Sequence, residues 1–345
     1  MTSGPYNHPA PGAGSPQWTP DGGTLIFSAN RQTDWEHQLR NTEIHEVSVS
    51  ARAIKTLTSR FGPDSNPVIS PDGGKIAYLG YDDHYEGYQR TRLYVMNRGG
   101  GEPRELGNLD RDIANPIWSA DSKGVFFQYD DQGDTKVAYI GLSGKIEDLA
   151  GHLGGSTLGR PYGRGSFSAA GTSRFAYTWS DPRHPGEVAV GKRDTPGTKI
   201  LTALNDDLLG HKTLGDVEEI WHESSFDKRK IQGWIVKPPD FDPSKKYLFI
   251  LEIHGGPRAN YGPRFTAEIQ LYAAAGYVVL YPNPRGSTSY GSQFAKLIDP
   301  AYPSQDHDDL MSGVDLMLTT RIRRPRASFH HRRQRRRTPL ELGYR

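Results

Sequence analysis

The sequence predicts a partial β-propeller of about four blades followed by an α/β unit with parallel strands. An internal repeat with a period of about fifty residues runs through the first half of the chain, and a strand, helix, strand succession occupies residues 247–281. A content of 39 glycines and 25 prolines adds to these, because it suits turn-rich β structure better than a helix bundle.

The repeat begins at Trp18-Thr19-Pro20-Asp21-Gly22-Gly23. It is echoed by Ile69-Ser70-Pro71-Asp72-Gly73-Gly74, by Trp118-Ser119-Ala120-Asp121-Ser122-Lys123 and, more faintly, by Phe167-Ser168-Ala169-Ala170-Gly171. The leading residues are spaced by 51, 49 and 49 positions. A short β run follows each echo, at 24–27, 75–78, 124–127 and 174–177, and second runs such as 43–47, 92–96 and 136–140 complete a blade-like set of strands. In the turn itself, proline fixes φ, aspartate accepts backbone N–H groups and glycine takes positive φ. Asp21, Asp72 and Asp121 are therefore read as structural rather than catalytic or metal-binding, and Trp18 and Trp118 as core between blades.

The second unit starts from the apolar run 247–253, which enters Gly255-Gly256-Pro257. Residues 265–275 have helical spacing and stop at Gly276, and 277–281 reads as a second buried strand, so the two strands are parallel. An HGG-type turn after the third strand of an α/β-hydrolase supplies an N–H of the oxyanion hole. His254-Gly255-Gly256 fits that description, with Gly255 and Gly256 as the candidate donors; taken alone, the segment also reads as a plain tight loop.

From 220 to 320 the chain resembles the prolyl oligopeptidase family of serine peptidases, in particular its acylaminoacyl peptidase and dipeptidyl aminopeptidase branch. The resemblance rests on Gly233-Trp234-Ile235-Val236-Lys237-Pro238-Pro239, Leu251-Glu252-Ile253-His254-Gly255-Gly256-Pro257, Asn283-Pro284-Arg285-Gly286-Ser287 and Asp306-His307-Asp308-Asp309-Leu310. It implies a seven-bladed propeller that filters short peptides. It also implies a hydrolase domain whose serine, activated by a histidine, hydrolyses them by acyl transfer, with Gly-x-Ser-x-Gly, Asp and His following in chain order. No serine here has glycine at both minus two and plus two; Ser156 and Ser143 have it only at minus two. The catalytic Ser, Asp and His are thus expected to be missing, and the chain is read as an inactive fragment, open at both ends, in which 247–253 becomes an edge strand.

The expected division is a partial propeller over 1–205, the N-terminal half of an α/β-hydrolase domain over 206–320, and a tail over 321–345. That tail holds ten arginines, one acid and no lysine, so its charge of +9 leaves −7 on the remainder of a chain with net charge +2. It is read as aberrant, out-of-frame or disordered sequence rather than a nucleic-acid-binding arm, because it interrupts a folding unit.

His254 supports the site but is not the triad base, which the family places downstream. Arg285 has two readings, as a residue that holds the site together and as a purely structural ion pair. His222 and His307 are read as surface residues, and Asp306, Asp308 and Asp309 as acids that complement a helix start. There is no cysteine, hence no disulfide or thiolate chemistry, and no run near the ~20 apolar residues of a membrane span. Residues 1–14 lack a leader's apolar segment, so the expected setting is the cytoplasm unless a leader has been lost. No cofactor, metal, membrane or nucleic-acid partner is expected, and a short peptide is the expected substrate. The alternatives are a non-catalytic propeller that binds peptides or proteins, and an esterase or lipase on the same hydrolase core.

Overall fold

A computed structural model describes residues 14–319; the arginine-rich tail lies outside the described residues. Each of the first three echoes forms the turn between the first two strands of a four-stranded antiparallel meander, and the fourth forms the first strand of another and the start of its turn. The first comprises β1 (Gln17–Trp18), β2 (Thr24–Ala29), β3 (Glu43–Ser48) and β4 (Ile54–Thr56), and the second β5 (Asp64–Ile69), β6 (Lys75–Gly80), β7 (Arg92–Asn97) and β8 (Arg104–Glu105). The third holds β9 (Ile113–Trp118), β10 (Gly124–Asp131), β11 (Asp134–Gly141) and β12 (Ile146–Ala150), and the fourth β13 (Phe167–Ala170), β14 (Arg174–Trp179), β15 (Glu187–Lys192) and β16 (Thr195–Ile200).

The turn chemistry is the same in the first three. Asp21 Oδ1 accepts from Thr19 Oγ1 at 2.6 Å and Gly23 N at 3.0 Å, and Asp72 Oδ1 from Ser70 Oγ at 2.6 Å and Gly74 N at 2.9 Å. Asp121 Oδ1 accepts from Ser119 Oγ at 2.7 Å and Lys123 N at 3.2 Å. Gly22 and Gly73 have φ of +69° and +72°, and Ser122 occupies the same place at +58°.

Strand alternation sends successive side chains to opposite neighbours. Val125 and Phe127 pack toward the second sheet against Leu93 and Val95, and Phe126 packs toward the fourth against Phe175 and Tyr177. Trp118 is buried in the contact with the second sheet, and its Nε1–H donates to Val68 O at 3.0 Å. Trp18, expected in the same role, is instead 57% exposed. The tryptophan at this place packs back on the preceding sheet, and among the described residues no sheet precedes the first.

Beyond the fourth meander come α1 (Asp206–Leu209), β17 (Val217–Glu223), β18 (Lys230–Val236), β19 (Leu248–Leu251), α2 (Ala267–Ala274), β20 (Tyr277–Asn283), α3 (Ser292–Lys296) and α4 (Asp306–Thr319). The sheet runs β17-β18-β20-β19, with β19 and β20 parallel and the other pairs antiparallel. Trp234, Val236, Val279 and Tyr281 face Ile269 and Ala273 of α2, while Ile235, Phe249, Val278 and Leu280 face Met317 of α4. A helix on each face explains why these strands read as unbroken apolar runs. Among the described residues β19 pairs with β20 alone, so it lies at the sheet edge. Among the same residues, no helix is long and apolar enough to cross a membrane.

Helix α2 starts two residues later than its spacing predicts, after an extended Thr266 whose hydroxyl donates to Gly159 O at 2.7 Å, and just ahead of it stands Arg264. Its buried guanidinium donates to Gly133 O at 2.8 Å, Thr135 Oγ1 at 2.5 Å and Leu153 O at 3.3 Å, all on or beside the third meander. The β10–β11 turn returns the contact: Gln132 N–H donates to Ser289 O at 2.9 Å and Gly133 N–H to Ser289 Oγ at 2.7 Å. Gly133 has φ +81°, and a Cβ there would sit 2.5 Å from the Trp234 ring, so the plug requires glycine.

Candidate active site

Three segments converge at the C-terminal end of the parallel pair. Strand β19 leads through Glu252, whose N–H donates to Leu280 O at 2.8 Å, into the turn at His254-Gly255-Gly256. Strand β20 leads into Pro284-Arg285-Gly286-Ser287. The third segment, residues 159–163, comes from the connection between the third and fourth meanders.

His254 is buried, and its Nε2 lies 2.9 Å from Ser287 Oγ. The Ser287 hydroxyl has one proton and gives it to Pro284 O at 2.6 Å, so this network assigns Nε2–H as the donor to Ser287. Nδ1, 3.1 Å from Gly255 O, then carries a proton only when the ring is charged. Burial opposes that charge and pushes the His254 pKa down from 6.5 to about 4, against the smaller pull of the Gly255 carbonyl.

The unfolded chain therefore binds the His254 proton before the folded chain does. This stabilisation is complete above pH 6.5 and is lost as pH falls through about 4, with a span of about 3 kcal/mol. Buried Glu43 and Asp64, raised by desolvation to about 7 and about 6, contribute in the opposite sense over part of this range. The contribution is isolated by comparison: His254→Gln should flatten the fall in thermal midpoint between pH 6.5 and 4, and parallel curves would show that the ring charges in place.

Gly255 and Gly256 follow on the exposed side of the turn. Gly256 has φ +139°, and a Cβ there would approach Arg258 N to 2.8 Å, so the conformation is restricted to glycine. The Gly255 N–H donates to the Tyr162 hydroxyl at 3.0 Å, whereas among the described residues the Gly256 N–H has no acceptor.

Arg285 is held by ionic contacts on several sides. It is 4% exposed; its Nε and Nη2 donate to Asp309 at 2.9 and 2.7 Å, and Nη2 also reaches Asp227 at 3.0 Å and Ser224 Oγ at 3.1 Å. It thus ties the exit of β20 to α4 and to the β17–β18 turn. Asp309 does stand in the first turn of α4, and it is also the fully buried partner of that arginine. His222 likewise is not on the surface: it is 6% exposed, with Nε2 2.9 Å from Asp309 O, because the strand bearing it packs under α4. His307 is exposed.

Tyr162 escaped the sequence reading, since a lone tyrosine in an irregular connection carries no periodic or motif signal. A cavity of about 310 Å³ lies between the second meander and α3 and is lined by Glu86, Arg90, Arg92, Asp110 and Lys296, away from the glycine turn. Among the described residues no cluster of three His, Asp or Glu side chains could hold a metal ion.

The family model described as the prolyl oligopeptidase family matches residues 263–326. An uncharacterized peptidase of Bacillus subtilis, YuxL, is 32% identical over 203 residues, covering 58% of this chain and 29% of its own length. Dipeptidyl-peptidase 5 of Porphyromonas gingivalis is 28% identical over 307 residues, covering 87% of this chain and 43% of its own. The solved acylaminoacyl peptidase of Pyrococcus horikoshii superimposes with a TM-score of 0.72 at 21% identity, over 90% of this chain and 46% of that one. The chain spans less than half the length of these relatives.

Proposed function

We propose, from the premise that the chain belongs to the prolyl oligopeptidase family, that it forms four propeller blades, up to about residue 205, and the first part of an α/β-hydrolase domain, over 206–320, in a serine peptidase. The whole enzyme hydrolyses short peptides by acyl transfer, releasing a dipeptide or an acylated residue from the amino terminus. The observation that carries this reading is the glycine turn at the end of parallel strand β19, with an N–H free to meet the negative charge that develops on a scissile carbonyl oxygen. His254 and Arg285 support the turn from beneath; neither is the general base. This chain has no Gly-x-Ser-x-Gly segment and is proposed to have no turnover of its own.

The test supplies what the chain lacks. Fusing residues 1–319 to the carboxy-terminal hydrolase segment of a family relative should produce fluorophosphonate labelling and cleavage of dipeptidyl or acyl-aminoacyl anilides. The unfused chain should do neither. A folded fusion that cleaves esters but no peptide anilide would favour an esterase, and one that binds peptides without labelling would favour a binding module.

A further inference from the structure

Of the two glycines at the turn, only one has an N–H left open among the described residues, and the residue that decides which is Tyr162. Its hydroxyl oxygen sits 3.0 Å from Gly255 N, the distance an anionic oxygen would take from an oxyanion donor. An N–H has one proton to share, so while the phenol is there Gly255 is not available to a substrate.

The phenol is held there from several sides. Residues 161–163 pair with 260–262: Gly262 N–H donates to Pro161 O at 2.9 Å, Gly163 N–H to Asn260 O at 3.2 Å, and Tyr162 and Tyr261 form an antiparallel bridge. The two tyrosine rings lie 4.9 Å apart. Arg160 anchors the same segment to Glu252 at 3.0 Å and Glu268 at 3.2 Å, and Asn283 holds Tyr261 from the other side, accepting its N–H at 2.8 Å and donating to its carbonyl at 2.9 Å. Gly256, by contrast, is exposed, unpartnered among the described residues and fixed in a glycine-only conformation.

We propose that Tyr162 is a positioning residue that reserves the Gly255 N–H and so makes Gly256 the donor to substrate oxygen. This rests on the oxyanion reading of the turn. It also makes the choice of donor depend on a segment that enters from the propeller side, so displacing residues 159–163 would open the Gly255 N–H beside that of Gly256.

Amide exchange and anion titration on the full chain, read by NMR, test the two parts separately. The Gly255 amide should exchange slowly and the Gly256 amide fast, and Tyr162→Phe should speed Gly255 exchange on the order of tenfold while leaving Gly256 unchanged. Inorganic phosphate, as an oxyanion probe, should shift the Gly256 amide in the wild-type chain and both amides in Tyr162→Phe. Fast Gly255 exchange in the wild type, or exchange indifferent to Tyr162→Phe, overturns the assignment of Tyr162. Slow Gly255 exchange with no phosphate shift at Gly256 supports the hold by Tyr162 and instead overturns the oxyanion reading beneath it.

Discussion

Asp309→Ala is expected to destabilise the chain by about 3–5 kcal/mol, the usual loss when one partner of a buried ion pair is removed and the other charge is left behind. Asp309 is fully buried; its Oδ2 accepts both the Arg285 backbone N–H at 2.8 Å and Nε–H at 2.9 Å, and its Oδ1 accepts Nη2–H at 2.7 Å. Asp227 is the remaining acid on that guanidinium, and it is more exposed. Urea unfolding gives the number, and a loss below about 1 kcal/mol would mean that Asp227 and solvent take over the charge. The double variant Arg285→Met/Asp309→Leu should recover most of the loss, since a well-packed apolar pair can replace a buried ionic one.

Arg264→Leu should cost a similar amount, about 3–5 kcal/mol, by a different route. The substitution leaves the carbonyls of Gly133 and Leu153 without their donor, and it removes the cation that opposes the desolvation-driven rise in the pKa of half-buried Asp130. Because these groups join the third meander to the α/β sheet, the expected signature is a broadened or split unfolding transition. A single cooperative transition at an unchanged midpoint would show that the plug at Gly133 holds the two together without the arginine.

Much of this architecture was legible because it is periodic or local. The aspartate turns repeat at a nearly fixed interval, and each needs only residues within five positions of one another. The apolar runs of β19 and β20 announce strands covered on both faces, and the glycines after His254 announce a turn, which at Gly256 no larger residue could make. What stayed illegible depends on partners distant in sequence. The burial of Asp309 depends on Arg285, that of His222 on α4, and the role of Tyr162 on Gly255 across 93 positions. Trp18 shows the converse, where a correct pattern gave the wrong burial because the sheet that would cover it is not among those described.

The turn at Gln132-Gly133 has a consequence for the order in which the chain can assemble. Its backbone donors are satisfied by Ser289, 156 positions after Gly133, and its carbonyl by Arg264, 131 positions after it. During synthesis the third meander can form its own ladder early, but its tip must stay hydrated until both partners have left the ribosome. Closing so long a loop costs entropy before any contact repays it, which places this junction late in folding. Until then the site has no roof, because the same closure brings residues 159–163 over the glycine turn.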